Sequence, residues 1–458
     1  MRQVISITDL GYGDSGKGTM VDAYAGHTNA HTVVRASGGA QAAHNVVTDD
    51  GRHHTFSQFG SATFRPGTRT HLSRFMLVYP PTLVSEEKQL QKVGVSDAFD
   101  RLTIDGRAPL ITPFHRAANW LREMARNGAE HGTCGMGIGE TVEDLLSMPD
   151  ETLYAYDLLD ARQTALKVRL LRAYKREQMT SVIAQLPRPL KEDAQTAIAV
   201  LEGSESLSRY LELCATLIRH VKIVDPPYLG TQLALDGTII FEGAQGVLLD
   251  EWYGFHPHTT WTTTTNENPN TLLCEHEYSG EVRKIGVLRA YATRHGAGPF
   301  VTEDAELTQE LRDPHNQDSG WQRAFRVGWF DLVASQYALD VVGKIDGLAI
   351  TCLDRIAAFK QLKICDAYTH TGETTLDLNA FFRMAGSSQD RIDRMRVDRT
   401  RNLVRQEQLT HLVKDCRPVY RDVTQRGYLL LLADRLNTPI VATSSGLAAK
   451  EKRFSSSV

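Results

Sequence analysis

The sequence predicts an α/β protein built on a large, mainly parallel central sheet with flanking helices. Three observations carry that prediction. A glycine-rich loop, Gly11-Tyr12-Gly13-Asp14-Ser15-Gly16-Lys17-Gly18, stands between the β-branched run Val4-Ile5-Ser6-Ile7 and a helical segment that opens at Met20. At least six strands end in loops rich in glycine, hydroxyls or amides. Those strands alternate with helical segments, the pattern of a sheet whose ligand site lies along its carboxyl edge.

Strand, glycine turn and helix form the setting in which a G-x-x-x-x-G-K match binds phosphate. The glycines let backbone N–H groups turn inward, and the helix start adds its positive end. Lys17 would meet the β- and γ-phosphate oxygens as a point charge. Two details are unusual. Gly18 follows Lys17, where the ordinary loop has the Ser or Thr that binds magnesium, and an acid, Asp14, sits inside the loop. A carboxylate among phosphate-binding amides repels the ligand unless a cation lies between them. Asp14 is therefore expected to bind Mg²⁺, to abstract a proton, or to do both.

Farther along, His31-Thr32-Val33-Val34-Arg35 reads as a second strand and runs into a small-residue stretch that ends on one imidazole, His44. Phe75-Met76-Leu77-Val78-Tyr79 reads as another strand, stopped by Pro80-Pro81, with a helix from Leu83 to Leu90. Ala117, Trp120, Leu121, Met124 and Ala125 make a helical stripe. After it, glycines at 132, 135, 137 and 139 suggest backbone close to a ligand. Residues 160 to 222 are helical in pattern. Their stripes, Leu166-Leu170-Tyr174 and Leu207-Leu211-Cys214-Ile218, read as core or dimer-contact faces.

The strand Thr238-Ile239-Ile240-Phe241 ends in Glu242-Gly243-Ala244-Gln245-Gly246, and the Thr-rich run from Thr259 to Thr265 offers hydroxyls suited to a phosphate. Arg289 to Phe300 combines charge with glycine, and Arg323 and Arg326 follow before Gly328-Trp329-Phe330-Asp331. Gly347 to Thr351 is a strand leading to Asp354. A carboxylate there can accept the N1–H and 2-amino protons of guanine together, a donor pair that adenine lacks. Pro439 to Thr443 is a further strand, with Ser444-Ser445-Gly446 after it.

Composition narrows the class. The 458 residues are 41% hydrophobic and 23% charged, ordinary for a globular protein. A net charge of −4 gives no basic footprint for nucleic acid. Six cysteines without C-x-x-C spacing read as reduced thiols of a cytoplasmic protein. The chain enters its first strand at once, so no signal peptide is expected, and no apolar run approaches the roughly 18 residues of a membrane span.

Taken in order, these loops resemble the adenylosuccinate synthetase family. The resemblance covers nearly the whole chain. It rests on Gly13-Asp14-Ser15-Gly16-Lys17-Gly18, Val33-Val34-Arg35 with Gly38-Gly39 and His44, Gly135-x-Gly-Ile-Gly139, and Phe241-Glu242-Gly243-Ala244-Gln245-Gly246 with Leu248-Leu249-Asp250. It continues through Ala290-Tyr291-Ala292-Thr293-Arg294-x-Gly-Ala-Gly-Pro-Phe300, Gly328-Trp329-Phe330-Asp331 and Leu353-Asp354.

The resemblance implies a fold related to P-loop NTPases, with one domain over 1–458 and a mainly helical subdomain at about 115–225. It implies a homodimeric ligase that joins aspartate to the 6-position of IMP and cleaves GTP to do so. Asp14 matches the base that takes the purine N1 proton, His44 the acid that steadies the departing phosphate, and Gln245 the amide on the 6-oxo group. Asp14 and Ala43 match the Mg²⁺ contacts. Gly13, Ser15, Gly16, Lys17, Gly18, Asp354, Ser444 and Gly446 match the GTP site. Gln41, Cys134, Gln245, Thr260 and Arg323 match contacts to the substrate nucleotide, and Arg294, Arg323 and Arg326 those to the amine substrate.

The chain also departs from the family pattern. The family usually has Glu where Ser15 stands, and His and Asn at Ala40 and Gln41. It has Thr at Cys134 and Arg at Met136, and its dimer-crossing arginine falls at Met148. Phe325 replaces an arginine that pairs with a substrate carboxylate, a loss expected to cost roughly 2–5 kcal/mol if nothing compensates. The activation half of the site is intact, whereas both substrate pockets are altered. Alternatives consistent with that split are the same chemistry on another purine or amine, in specialised or viral metabolism, and a nucleotide-binding relative without catalysis. A viral branch that acts on dGMP has Ser for the catalytic Asp, so Asp14 argues against that version.

Overall fold

The computed structural model describes residues 1–126, 132–187, 192–312, 325–385 and 391–455. Ten strands make the central sheet: β1 (Arg2–Asp9), β2 (Thr32–Arg35), β3 (Arg69–Leu72), β4 (Leu102–Asp105), β5 (Lys222–Val224), β6 (Gly237–Glu242), β7 (Glu281–Arg289), β8 (Gly347–Thr351), β9 (Ile440–Ser444) and β10 (Lys452–Phe454). Their spatial order is β10-β9-β8-β7-β1-β6-β2-β3-β4-β5. Every neighbouring pair is parallel except β9 with β10.

The middle strands are buried on both faces. Val4, Ile5 and Ile7 of β1, Ile239, Ile240 and Phe241 of β6, and Ile285 and Val287 of β7 are all buried, as a parallel sheet covered by helices requires. The register aligns the carboxyl ends. Ile7 pairs with Glu242, Arg35 with Glu242, Asp9 with Val287, and Thr351 with Arg289. The polar residues that close these strands therefore stand side by side along one edge.

Helix Lys17–Thr28 follows β1 directly, so the phosphate loop is shorter than a helix starting at Met20 would make it. Helices Pro113–Ala125, Ile138–Ser147, Ala161–Gln185, Gln195–Glu202 and Ser204–His220 pack around Phe114, Leu121, Val168, Leu171, Met179, Leu201 and Leu217. A smaller sheet, formed by Phe330–Asp331, Leu362–His370, Phe382–Ala385, Arg391–Met395 and Cys416–Val423, flanks the other end.

One local expectation is corrected and another is narrowed. Phe75 to Tyr79 is not a strand: Leu77 and Val78 make only isolated bridges, to Gly39 and Leu110, and the sheet strand is the earlier Arg69–Leu72. Pro80 is instead the first residue of helix Pro80–Lys92, where a missing N–H costs nothing. Leu166 and Leu170 are 52% and 49% exposed, so they are not core; the buried stripe of their helix is Thr164, Val168, Leu171, Lys175 and Met179.

Candidate active site

The phosphate loop is braced from below by a residue the sequence reading did not single out. Asp9, the last residue of β1, is 1% exposed. Its Oδ1 accepts from Gly11 N–H (2.8 Å) and Ser15 Oγ (2.8 Å), and its Oδ2 from Ser15 N–H (3.0 Å) and Lys17 Nζ (2.9 Å). Above this brace the backbone turns through left-handed positions at Gly13, Asp14 and Gly16, with φ of 91°, 57° and 87°. Asp14 takes that conformation without glycine's freedom, a cost that recurs at functional sites. Thr351, at the end of β8, donates from Oγ1 to the Ser15 carbonyl at 2.6 Å.

Gly18 has a steric reason to be glycine. A Cβ there would lie 2.6 Å from His44 Cβ and 3.1 Å from the His44 main chain. The side chain that an ordinary loop uses for magnesium is excluded because the His44 strand crosses the helix start at that point.

His44 is buried and fixed by a second carboxylate. Its Nδ1 lies 2.5 Å from Glu242 Oε1, and Glu242 also accepts from the Ser61 hydroxyl and from Ser61 N–H at 3.0 Å. Burial works to raise the Glu242 carboxyl. The Arg35 charge and the hydrogen bonds from His44 and Ser61 outweigh it and bring it down to about 2. Glu242 is thus ionised, Nδ1 carries the proton, and Nε2 is the ring atom left for a ligand. Burial lowers the His44 imidazole, against the pull of Glu242.

Two amides stand over Gly38. A Cβ at Gly38 would meet Gln41 Nε2 at 3.3 Å and Gln245 Oε1 at 3.5 Å. Neither Gln41 Nε2 and Oε1 nor Gln245 Oε1 has a hydrogen-bond partner among the described residues, although all three are buried. Unpaired buried amides are costly, and the edge of a purine carries donors and acceptors that would pair them. Gln245 is itself left-handed, with φ of 54°. Its loop touches the phosphate loop, since a Cβ on Gly246 would fall 2.2 Å from the Gly11 carbonyl.

Asp14 is held on two sides. Arg289 NH1 donates to its carbonyl at 3.2 Å, and its carboxylate Oδ2 lies 3.5 Å from His295 Nε2. The amine-substrate arginines are placed differently from the expectation. Arg294 is 1% exposed, and its guanidinium donates to the carbonyls of Ala297, Pro299 and His258 while lying 4.3 Å over the Tyr12 ring. Arg326 pairs with Glu303 at 2.7 Å and donates to the carbonyls of Gly296 and Gly298. Both hold their own loop. Arg323 lies outside the described residues.

At the far side of the edge, Asp354 stands exposed in the short helix Leu353–Ile356 after β8. Ser444 ends β9, and Ser444 Oγ donates to the Gly446 carbonyl at 3.1 Å. Lys452 Nζ gathers the carbonyls of Gly446, Leu447 and Ala448, each at 2.9 Å. Thr19 Oγ1 ties Leu447 to the first helix at 2.9 Å.

In the Gly135–Gly139 loop, burial pushes the Cys134 thiol up, so it carries no charge toward a phosphate. Met136 packs against the helical core, and Met148 ends helix Ile138–Ser147. A cation near this loop is Arg116, whose Nε donates to the Gly135 carbonyl at 3.3 Å. Thr260 is half-buried, with Oγ1 3.4 Å from Thr262 Oγ1. Ala43 is exposed and can offer a metal only its carbonyl oxygen. Among the described residues no group of three or more His, Cys, Asp or Glu side chains could hold a metal ion.

The class this defines is an α/β nucleotide-binding protein whose loop is set for a phosphorylated ligand. Comparison with known proteins narrows it: the chain belongs to the adenylosuccinate synthetase family, whose profile matches residues 6–450. It is 31% identical over 379 residues to the adenylosuccinate synthetase of Syntrophotalea carbinolica, covering 81% of this chain and 82% of that protein. It is 33% identical over 362 residues to that of Thioalkalivibrio sulfidiphilus, covering 78% of each. The fully ligated adenylosuccinate synthetase of Plasmodium falciparum has the same fold, with a TM-score of 0.78 at 20% identity over 99% of both chains. The family comprises carbon–nitrogen ligases of purine biosynthesis that use GTP to join aspartate to IMP, and this chain is a carbon–nitrogen ligase of that family. Among the described residues no helix is long and apolar enough to cross a membrane.

Proposed function

We propose that Asp14 is the base that starts this reaction, and that the buried amides of Gln41 and Gln245 receive the purine. The observation that carries the reading is a carboxylate lodged in the phosphate loop, whose neighbour Gly13 packs on the Gln245 main chain, while Gln245 Oε1 has no hydrogen-bond partner among the described residues. A 6-oxo group leaves poorly and must first become a phosphate ester. Asp14 takes the N1 proton, and O6 attacks the γ-phosphorus as GDP departs. The aspartate amine then displaces phosphate at C6. Lys17 and His44 neutralise the oxygens of the transferring group, and Gln245 holds the 6-oxo group. Asp354 reads guanine, and the Ser444–Gly446 segment covers it. Mg²⁺, held by Asp14 and the Ala43 carbonyl together with phosphate oxygens, would supply further neutralising charge.

A homodimer is part of the proposal. Leu146, Leu159, Leu166 and Leu170 are 74%, 63%, 52% and 49% exposed on the helical side of the molecule, an apolar face suited to a second copy. Cytoplasmic residence follows from the reduced cysteines of the sequence reading.

A second reading is favoured by Arg294, whose guanidinium donates to loop carbonyls, by Arg326, which is shared between Glu303 and loop carbonyls, and by Phe325 in place of an arginine. In it the same chemistry serves a purine or amine less anionic than IMP or aspartate. A substrate screen decides. Purified protein with GTP is offered IMP, dIMP, GMP and inosine against a panel of amino acids, and phosphate release is followed. Turnover greatest with IMP and aspartate supports the first reading. Turnover only with another pair supports the second, and none with any pair overturns both.

A further inference from the structure

His295 occupies a position that the assigned reaction leaves without a role. It lies on the strand Ala292–His295, directly across an antiparallel ladder from Phe325. Its ring sits 4.7 Å from the Phe325 ring, at 53° between planes, and its Nε2 lies 3.5 Å from Asp14 Oδ2. Phe325 is 8% exposed and also lies 5.9 Å from the Arg289 guanidinium carbon. Arg289 in turn lies 4.7 Å over Tyr291 and donates to the Asp14 carbonyl.

The cluster divides the work of holding Asp14. The left-handed backbone at φ 57° and the Arg289 hydrogen bond fix its main chain. Neither fixes χ1, and the side chain is 31% exposed toward the mouth of the site. A carboxylate free to swing would present either oxygen to a proton donor in many orientations. His295, at ion-pair distance from Oδ2, limits that freedom. His295 is itself held by Phe325, so the aromatic ring at this position has a structural use that an arginine reaching for substrate would not fill.

We propose that His295, seated on Phe325, is a positioning residue that sets the rotamer of the Asp14 carboxylate. The proposal rests on the reading of Asp14 as the base. Misplacing a reacting group by about 1 Å can cost on the order of a hundredfold in rate, so the effect belongs in kcat.

The test compares His295→Gln with His295→Leu in the full chain. Both fill the space against Phe325, but only Gln retains an N–H donor toward Oδ2. Steady-state rates are measured with GTP, IMP and aspartate, and binding of a non-hydrolysable GTP analogue is measured by calorimetry. His295→Leu is expected to lower kcat by about tenfold to a hundredfold with KM and analogue affinity unchanged, and His295→Gln to stay within about threefold of the unmodified protein. Equal rates for the two variants, or a change in KM alone, overturn the proposal. Asp14→Asn separates the two claims. If it retains turnover, the base reading fails; if it is inactive while His295→Leu is normal, the positioning role alone fails.

Discussion

Lys17 Nζ lies 2.9 Å from Asp9 Oδ2, with the two side chains only 3% and 0% exposed. The lysine that should meet GTP is therefore already paired with a buried carboxylate at the foot of the loop. A bound phosphate adds a second anion to a site where the first is built in. Such a pair costs little while intact and a great deal when one partner is removed, because the other is left charged and buried.

Asp9→Asn should accordingly destabilise the free protein by about 3 kcal/mol, the low end for a broken buried pair, since Asn still accepts from Gly11 and Ser15. A phosphate ligand supplies the missing anion. The rise in Tm on adding a non-hydrolysable GTP analogue should therefore be larger for the variant than for the unmodified protein. Equal rises in a differential scanning experiment would show that Asp9 does not compensate Lys17.

Nucleotide choice should follow Asp354. One charged acceptor meeting two guanine donors predicts GTP over ATP by at least about tenfold, or about 1.4 kcal/mol. Asp354→Asn should erase that preference without abolishing turnover. Equal use of the two nucleotides by the unmodified protein contradicts the assignment.

Asp331 should give stability a pH dependence of opposite sign to that of most carboxylates. Burial pushes its carboxyl up from 3.8 to about 6, against hydrogen bonds from the Ala334 N–H and the Tyr368 hydroxyl. Between those values the folded protein keeps a proton that the unfolded chain has released, so stability falls as pH rises through the window and stays lower above it. Two pH units correspond to about 3 kcal/mol. Asn can accept from Ala334 and donate to the Tyr368 oxygen, and it carries no charge. Urea unfolding at several pH values should show Asp331→Asn gaining on the unmodified protein between about pH 4 and pH 6. A constant difference would exclude the titration.

Substrate affinity should expose the altered pockets. Cys134, Met136 and Met148 offer no charge to a nucleotide phosphate, Arg294 donates to carbonyls, and Arg326 is engaged by Glu303 and two carbonyls. Buried anions need charged or hydrogen-bonding partners. The KM for IMP or for aspartate should therefore lie in the millimolar range. Micromolar values for both would show that Arg116 or other cations cover the same oxygens.

Much of this was legible in the sequence, for a physical reason. The phosphate loop, the Gln245 loop and Asp354 are local motifs at strand ends, and a strand end in a parallel sheet carries its position with it. Asp9 and Glu242 were not legible as supports, because their partners come from the next turn or a different strand: His44 is far from Glu242 in sequence, and only the register of β2 on β6 brings their loops together. The surroundings of Arg294 were not legible, because its burial is set by Tyr12 and by a loop that folds back on it. Phe75 to Tyr79 misled because β-branched and aromatic composition also suits a buried approach to a helix.

The contact at Gly18 constrains how this site could have arisen. With His44 Cβ 2.6 Å and the His44 main chain 3.1 Å from where a side chain would begin, a magnesium-binding hydroxyl at 18 and this course of the His44 strand exclude one another. No single substitution converts one arrangement into the other: Gly18→Ser displaces the His44 strand, and replacing the imidazole leaves the residue-44 Cβ and main chain in the same place. An ancestor with the ordinary loop would have had to lose that hydroxyl before the His44 strand could take its present course. Directed evolution toward an ordinary nucleotide hydrolase would meet the same barrier in reverse.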